Sequence, residues 1–186
     1  MKKKVNITFL IRSLHPGGAE RQLVNLINGL DSDTFQISLI TFYPDGDLRN
    51  HIIHPDIHIH SLNKRNRWDI VGFLLRYFRL LSSIKPDILH GYLSMSNIIA
   101  AISKIIHPKM VVIFGIRSSY HDLSKFDWLA KLEFFTEARF ARLADRIIVN
   151  SESGKNNLIR KKYPSQKINV IPNGINTDAF SINRET

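Results

Sequence analysis

The residues best suited to chemistry in this chain stand where short apolar runs stop. After the run at 5–11 comes His15-Pro16-Gly17-Gly18-Ala19-Glu20-Arg21. Gly17 and Gly18 allow backbone conformations closed to other residues, and they let another molecule come close. The first amides of the helix that follows lack partners inside it and carry the positive end of its dipole. Such a corner suits an anion, phosphate above all; a plain tight turn without ligand is the alternative. Later runs end at Tyr43, His90-Gly91, Arg117-Ser118-Ser119 and Asn150-Ser151-Glu152. A base, a cation, hydroxyls and a phosphate corner on one edge read as a site for a polar, phosphorylated or polyhydroxylated ligand. Singly, each residue is also what the start of a loop looks like.

The elements that must position them alternate. Strands are predicted at 5–11, 35–42, 57–62, 86–91, 110–116, 146–150 and 168–171. Most are short apolar runs rich in Ile, Val and Leu, as buried parallel strands are. Between them, helical spacing runs from Leu23 through Val24, Leu26 and Ile27 to Leu30, and again over 69–84, 95–106, 126–143 and 152–161. Strand and helix in alternation imply an α/β fold: a Rossmann-like, doubly wound, mainly parallel sheet with helices on both faces. In such sheets ligands sit beyond the carboxyl ends of the strands, where the residues above collect.

Composition narrows the partners. At 186 residues the chain is one domain with room for a substantial core. It has no cysteine, which excludes disulfides and thiolate metal sites. The first apolar run is too short and polar for a signal peptide, and nothing approaches the roughly 20 apolar residues of a spanning helix. A cytoplasmic protein, soluble or peripheral at the inner face of the membrane, is expected. Twenty-six Lys and Arg against sixteen Asp and Glu leave a formal charge of +10. That surplus favours polyanions. No zinc finger, aromatic RNA-binding signature or basic-region helix is present, so nucleic acid is set aside in favour of an anionic membrane surface or a phosphorylated substrate.

Four motifs taken together carry a family resemblance. Gly17-Gly18-Ala19-Glu20, Pro86-Asp87-Ile88-Leu89-His90, the run from Ala144 through Asn150 to Ser151, and Val170-Ile171-Pro172-Asn173-Gly174-Ile175-Asn176 stand in order along nearly the whole chain. The set resembles the amino-terminal half of the retaining, nucleotide-sugar-dependent glycosyltransferases of GT-B architecture (family 4-like, group 1), which have two Rossmann-like domains facing across a cleft. The resemblance implies that residues 1–173 are the acceptor-side domain and that 174–186 begin the interdomain linker, the donor-binding domain being absent. It implies that Gly17, Gly18 and Arg21, with Asn173 and Gly174 at the joint, meet the donor's diphosphate and sugar. His90 and Arg117 would be catalytic, and Ser118, Ser119, Asn150 and Ser151 would meet the acceptor. Asn173 or Gly174 could adopt left-handed backbone there. The nucleotide-sugar is a co-substrate, so no cofactor and no metal is expected.

Two departures qualify the carry-over. Many relatives place a histidine where Arg117 stands; arginine is no base at neutral pH, but it grips phosphate or carboxylate bidentately. The acidic E-x7-E motif of the donor domain is missing, for Glu133 and Glu137 are four apart and read as dressing a helix face. The function implied is the acceptor-binding half of a transferase that moves a sugar from a nucleotide-sugar to a glycan or lipid-linked acceptor, and the isolated chain is expected to be inactive. Its partners would be donor, acceptor, an anionic membrane and a carboxyl-terminal transferase domain. The alternative is a non-catalytic subunit anchoring a split transferase at a membrane. A dinucleotide module is disfavoured, because GxGxxG is missing after the first strand.

Three stretches remain. In 69–84, Ile70, Phe73, Leu74, Tyr77, Phe78, Leu81 and Ile84 form an apolar arc with Arg76 and Arg79 opposite. That reads as a core helix rather than a membrane element. The helix at 126–143, with Trp128, Phe134, Phe135 and Phe140, is the stronger membrane or acceptor candidate. His51, His54, His58 and His60 read as an exposed edge strand rather than a metal site.

Overall fold

The computed structural model describes residues 3–44, 46–117 and 128–174. Its centre is a seven-stranded sheet: β1 (Val5–Ile11), β2 (Phe35–Thr41), β3 (Ile57–Ser61), β4 (Ile88–Tyr92), β5 (Val111–Ile116), β6 (Arg146–Val149) and β7 (Ile168–Val170). The order is β3-β2-β1-β4-β5-β6-β7 and every pairing is parallel. The helices are α1 (Gly18–Gly29), α2 (Ile70–Ile84), α3 (Ser94–Ile106), α4 (Trp128–Phe140) and α5 (Glu152–Arg160). Short 3-10 turns at Asp47–His51 and Ser165–Lys167 were not visible in the sequence pattern.

Side chains alternate across each strand, which divides the core in two. Ile7, Phe9 and Ile11 of β1 pack with Ile37 and Leu39 of β2 and with Leu23, Val24 and Ile27 of α1. Leu10, Ile40, Leu89, Val112, Phe114 and Ile147 face the other way, against Phe73, Tyr77 and Leu81 of α2, Ile99 to Ala101 of α3, Leu158 of α5 and Tyr163. Small residues let α3 lie close: Tyr77 Oη and Ser103 Oγ share a 2.7 Å hydrogen bond between α2 and α3. A left-handed Lys85 (φ 50°) followed by Pro86 ends α2. The histidine-bearing strand β3 does lie at the sheet edge. His54 departs from its exposed reading: it is buried, with Nε2 on the Leu30 carbonyl at 3.2 Å and Nδ1 accepting from the Asp56 amide at 3.3 Å.

The chain leaves β1 toward β2 and leaves β4 toward β5, so the sheet's switch point lies between β1 and β4. In open α/β sheets the ligand crevice lies at that point, beyond the carboxyl ends of the strands.

Candidate functional site

The β4 end builds the floor. A Cβ on Gly91 would come within 2.6 Å of Asn97 Oδ1, so only glycine lets the first turn of α3 press on the strand. The strand therefore runs through Gly91 to Tyr92, where the sequence had it stop. His90 consequently lies beneath the rim rather than on it. It is 3% exposed, its ring 5.5 Å from that of Phe9 and 4.7 Å from that of Tyr92. Its Nε2 is buried without a partner and lies over Gly115. Burial, then the neighbouring Arg117 charge, holds its pKa down at about 3. The imidazole is neutral and sealed.

Arg117 follows β5 and comes to the crevice. Its Nη2 donates to Tyr92 Oη at 3.1 Å and its Nη1 to Asn173 Oδ1 at 3.2 Å. The guanidinium carbon lies 5.3 Å from the Tyr92 ring centroid, a cation–π contact. Burial pushes the Tyr92 phenol up, against the pull of that charge. Among the described residues no carboxylate pairs with Arg117. Asn150 Nδ2 donates to the Arg117 carbonyl at 3.4 Å, so two expected site residues brace a third. Ser151 has another task, capping α5 by accepting from the Gly154 amide at 3.0 Å. Ser118 and Ser119 lie outside the described residues.

The glycine corner faces the same crevice. Gly17 is extended (φ −154°) and Gly18 opens α1, so neither uses a left-handed conformation. Positive φ among described glycines occurs at Gly46. What Gly18 supplies is space: nothing lies within 4 Å of a Cβ built on it. The Glu20 carboxylate folds back over Gly17. It complements the helix dipole at the spot where an external anion would sit. Gln22 Nε2 donates to the Gly174 carbonyl at 3.0 Å, tying α1 to the far end of the described chain. Arg21 stands in the first turn, its amide donating to the Gly17 carbonyl at 3.1 Å.

Sequence reasoning missed the acids. Glu137 does not dress a surface. It is 2% exposed, accepting from Asn97 Nδ2 at 2.7 Å and Tyr163 Oη at 3.1 Å, with the Ser94 hydroxyl also bonded to it. Burial pushes its pKa up, against those hydrogen bonds. Burial likewise raises half-buried Glu133, while the Arg12 charge and the Met95 amide draw it down. Arg12 in turn lies over the Tyr43 ring, 5.7 Å from its centroid. Leu93, at φ 70° and ψ 162°, occupies backbone space that a leucine rarely enters. Its amide donates to the Gly115 carbonyl at 3.1 Å, and its own carbonyl accepts from Asn97 N at 3.0 Å. No spacing rule in the sequence marks the two acids, because their partners come from α3, the end of β1 and the turn after α5.

Comparison with known proteins then identifies the family. The profile of Glycosyltransferase Family 4 matches residues 16–179. The chain belongs to that family. Its fold is one half of a GT-B fold. No curated protein sequence matches the chain. Among solved structures, HepE from Anabaena in complex with UDP superposes with a TM-score of 0.73 at 19% identity, over 95% of this chain and 46% of HepE. The lipopolysaccharide outer core galactosyltransferase WaaB, in its apo form, gives 0.67 at 14% identity, over 92% of this chain and 46% of its own. UDP-GlcNAc 2-epimerase from Neisseria meningitidis, bound to UDP-GlcNAc, gives 0.60 at 16% identity, over 89% and 46%. At these identities the likeness is one of fold, and this family 4 chain spans less than half the length of each. Among the described residues no helix is long and apolar enough to cross a membrane, and no cluster of His, Asp and Glu is placed to hold a metal ion.

Proposed function

We propose that the chain is the acceptor-side half of a retaining glycosyltransferase that moves a sugar from a nucleotide-sugar to a glycan or lipid-linked acceptor. The observation that carries this is Arg117. It is a half-buried guanidinium at the switch point, oriented by Tyr92 and Asn173, with no carboxylate to neutralise it among the described residues. A cation fixed in place before the reaction stabilises developing anionic charge without reorganising, and its planar fork matches a phosphate. Gly18 presents open backbone on the same edge, and a diphosphate would displace the Glu20 carboxylate that covers Gly17 at the start of α1. Arg21, Asn173 and Gly174 complete that donor side; Ser118, Ser119, Asn150 and Ser151 complete the acceptor side. His90 serves as a packing platform beneath Tyr92 rather than as a base. Charge of +10 favours meeting the acceptor at an anionic membrane surface.

The epimerase likeness names the competing chemistry, and the family match favours transfer. Supplying a carboxyl-terminal donor domain, in cis or as a separate protein, and following label from nucleotide-sugars tests the reading. Label appearing in an acceptor supports it. Label appearing only in an epimerised donor or in free sugar refutes it.

A further inference from the structure

The outward side of α2 is apolar where it begins. Phe73, Tyr77 and Leu81 turn into the core. On the opposite side Val71 and Leu75 are 72% and 54% exposed, and Trp68, just ahead of the helix, is 80% exposed. Spacings of three and four put them in one stripe. An isolated surface apolar residue is ordinary, whereas a contiguous patch marks a binding surface.

Trp68 is held in place. Asn66 Oδ1 accepts from the amides of Trp68 and Asp69 at 2.9 and 3.1 Å. The Asp69 carboxylate accepts from the Arg65 amide at 3.1 Å and Arg76 Nη2 at 2.5 Å, and Arg76 Nε donates to the Leu62 carbonyl at 2.7 Å. The connection from β3 is therefore pinned with its tryptophan outward.

Cations ring the stripe. Arg65, Arg67 and Arg79 are exposed, and the Arg67 guanidinium lies 5.6 Å from the Trp68 ring centroid. The nearby acid, Asp69, is already engaged by Arg76. Tryptophan beside arginine over aliphatic side chains is the chemistry of a membrane interface, where the ring sits at headgroup depth and the guanidinium meets lipid phosphate. On α4 the exposed Trp128 and Phe135 share their helix with half-buried Glu133, a carboxylate that an anionic surface would repel. The sequence had favoured α4; the exposed faces favour α2.

Position supplies the purpose. In a parallel sheet the helix N-termini lie at the edge where the strands end, so Trp68 stands on the same edge as Arg117. We propose that Trp68, Val71 and Leu75, with Arg65, Arg67 and Arg79, form a docking face for an anionic lipid bilayer. The proposal rests on the acceptor reading for its purpose but not for its test.

The test uses the 186-residue chain with vesicles of phosphatidylglycerol and phosphatidylcholine, against pure phosphatidylcholine. Two single-tryptophan forms, W128F and W68F, report each ring separately through quenching by lipids brominated in the acyl chain. The expected result is salt-sensitive binding to the anionic vesicles and quenching of Trp68. Arg65→Gln and Arg67→Gln should each weaken binding about fivefold. Val71→Ser with Leu75→Ser should weaken it about tenfold, with thermal unfolding unmoved because both sites are exposed. No binding at low salt, or quenching of Trp128 with Trp68 unquenched, would overturn the proposal. Sugar transfer is read separately. Docking without transfer removes the transferase reading alone, and transfer without docking removes the docking face alone.

Discussion

Arg117 touches Tyr92 twice, donating to its hydroxyl at 3.1 Å and lying over its ring at 5.3 Å. One phenol thus sets both the direction and the distance of the cation at the switch point. Arg117→Ala in a complete two-domain enzyme should lower turnover by about 10²-fold, the range for losing one preorganised charge donor. Arg117→Lys should recover little of it, because an ammonium cannot bond Tyr92 and Asn173 together and still present a planar fork. Steady-state kinetics checks this, and a lysine variant as fast as the parent would contradict it.

The glycine corner makes a separate prediction. A side chain at Gly18 meets no protein atom within 4 Å, so Gly18→Val should fold with little change in melting temperature. It should still raise the donor Michaelis constant by about tenfold, because the valine fills space that the backbone leaves for the diphosphate. Thermal melts and donor titrations read the two parts independently.

His90 should be silent in activity and audible in stability. Its folded pKa, about 3, lies below the ordinary 6.5, so the unfolded chain binds the extra proton between those values. Stability contributed by this group is present above about pH 6.5 and is lost as pH falls toward 3. Urea unfolding from pH 4 to 7 should show a slope that His90→Gln flattens. The pH dependence of turnover between 5 and 8 should keep its shape in that variant. A vanished inflection there would restore His90 as a catalytic base.

Glu137 titrates the other way. Its folded pKa is raised above the ordinary 4.5, so the folded state holds the proton longer. From about pH 4.5 upward to the folded value the native state loses stability, as an ionised carboxylate is forced into the core. Glu137→Gln should remove that fall, while Glu137→Ala should cost about 2–4 kcal/mol by stranding Asn97 and Tyr163. Denaturant titrations across pH check both.

Much of this was legible in the chain. Buried parallel strands are continuous apolar runs, and β1 was read to the residue. Gly91 misled because glycine usually punctuates; here α3 needs it bare, so the strand continues to Tyr92 and carries His90 inward. The alternation of β1 held a clue: Phe9 pairs with His90 and faces α1, so His90 faces α1 too. Arg117 was legible as a strand-end cation, but its partners were not, since Tyr92 and Asn173 are 25 and 56 residues away. Glu137 was illegible for the same reason. A pair of glutamates one turn apart looks like a surface until α3 is laid across it.

The most direct measurement is transfer of labelled sugar over a panel of nucleotide-sugars and lipid-linked acceptors. It is run with the 186-residue chain alone and again with a carboxyl-terminal donor domain supplied. The chain supplies an oriented cation and a glycine corner but, on this account, only one wall of a cleft that must exclude water. It should transfer nothing unaided and bind nucleotide-sugar feebly, with turnover appearing once the second domain is present and falling in Arg117→Lys. Steady turnover by the chain alone would contradict the account.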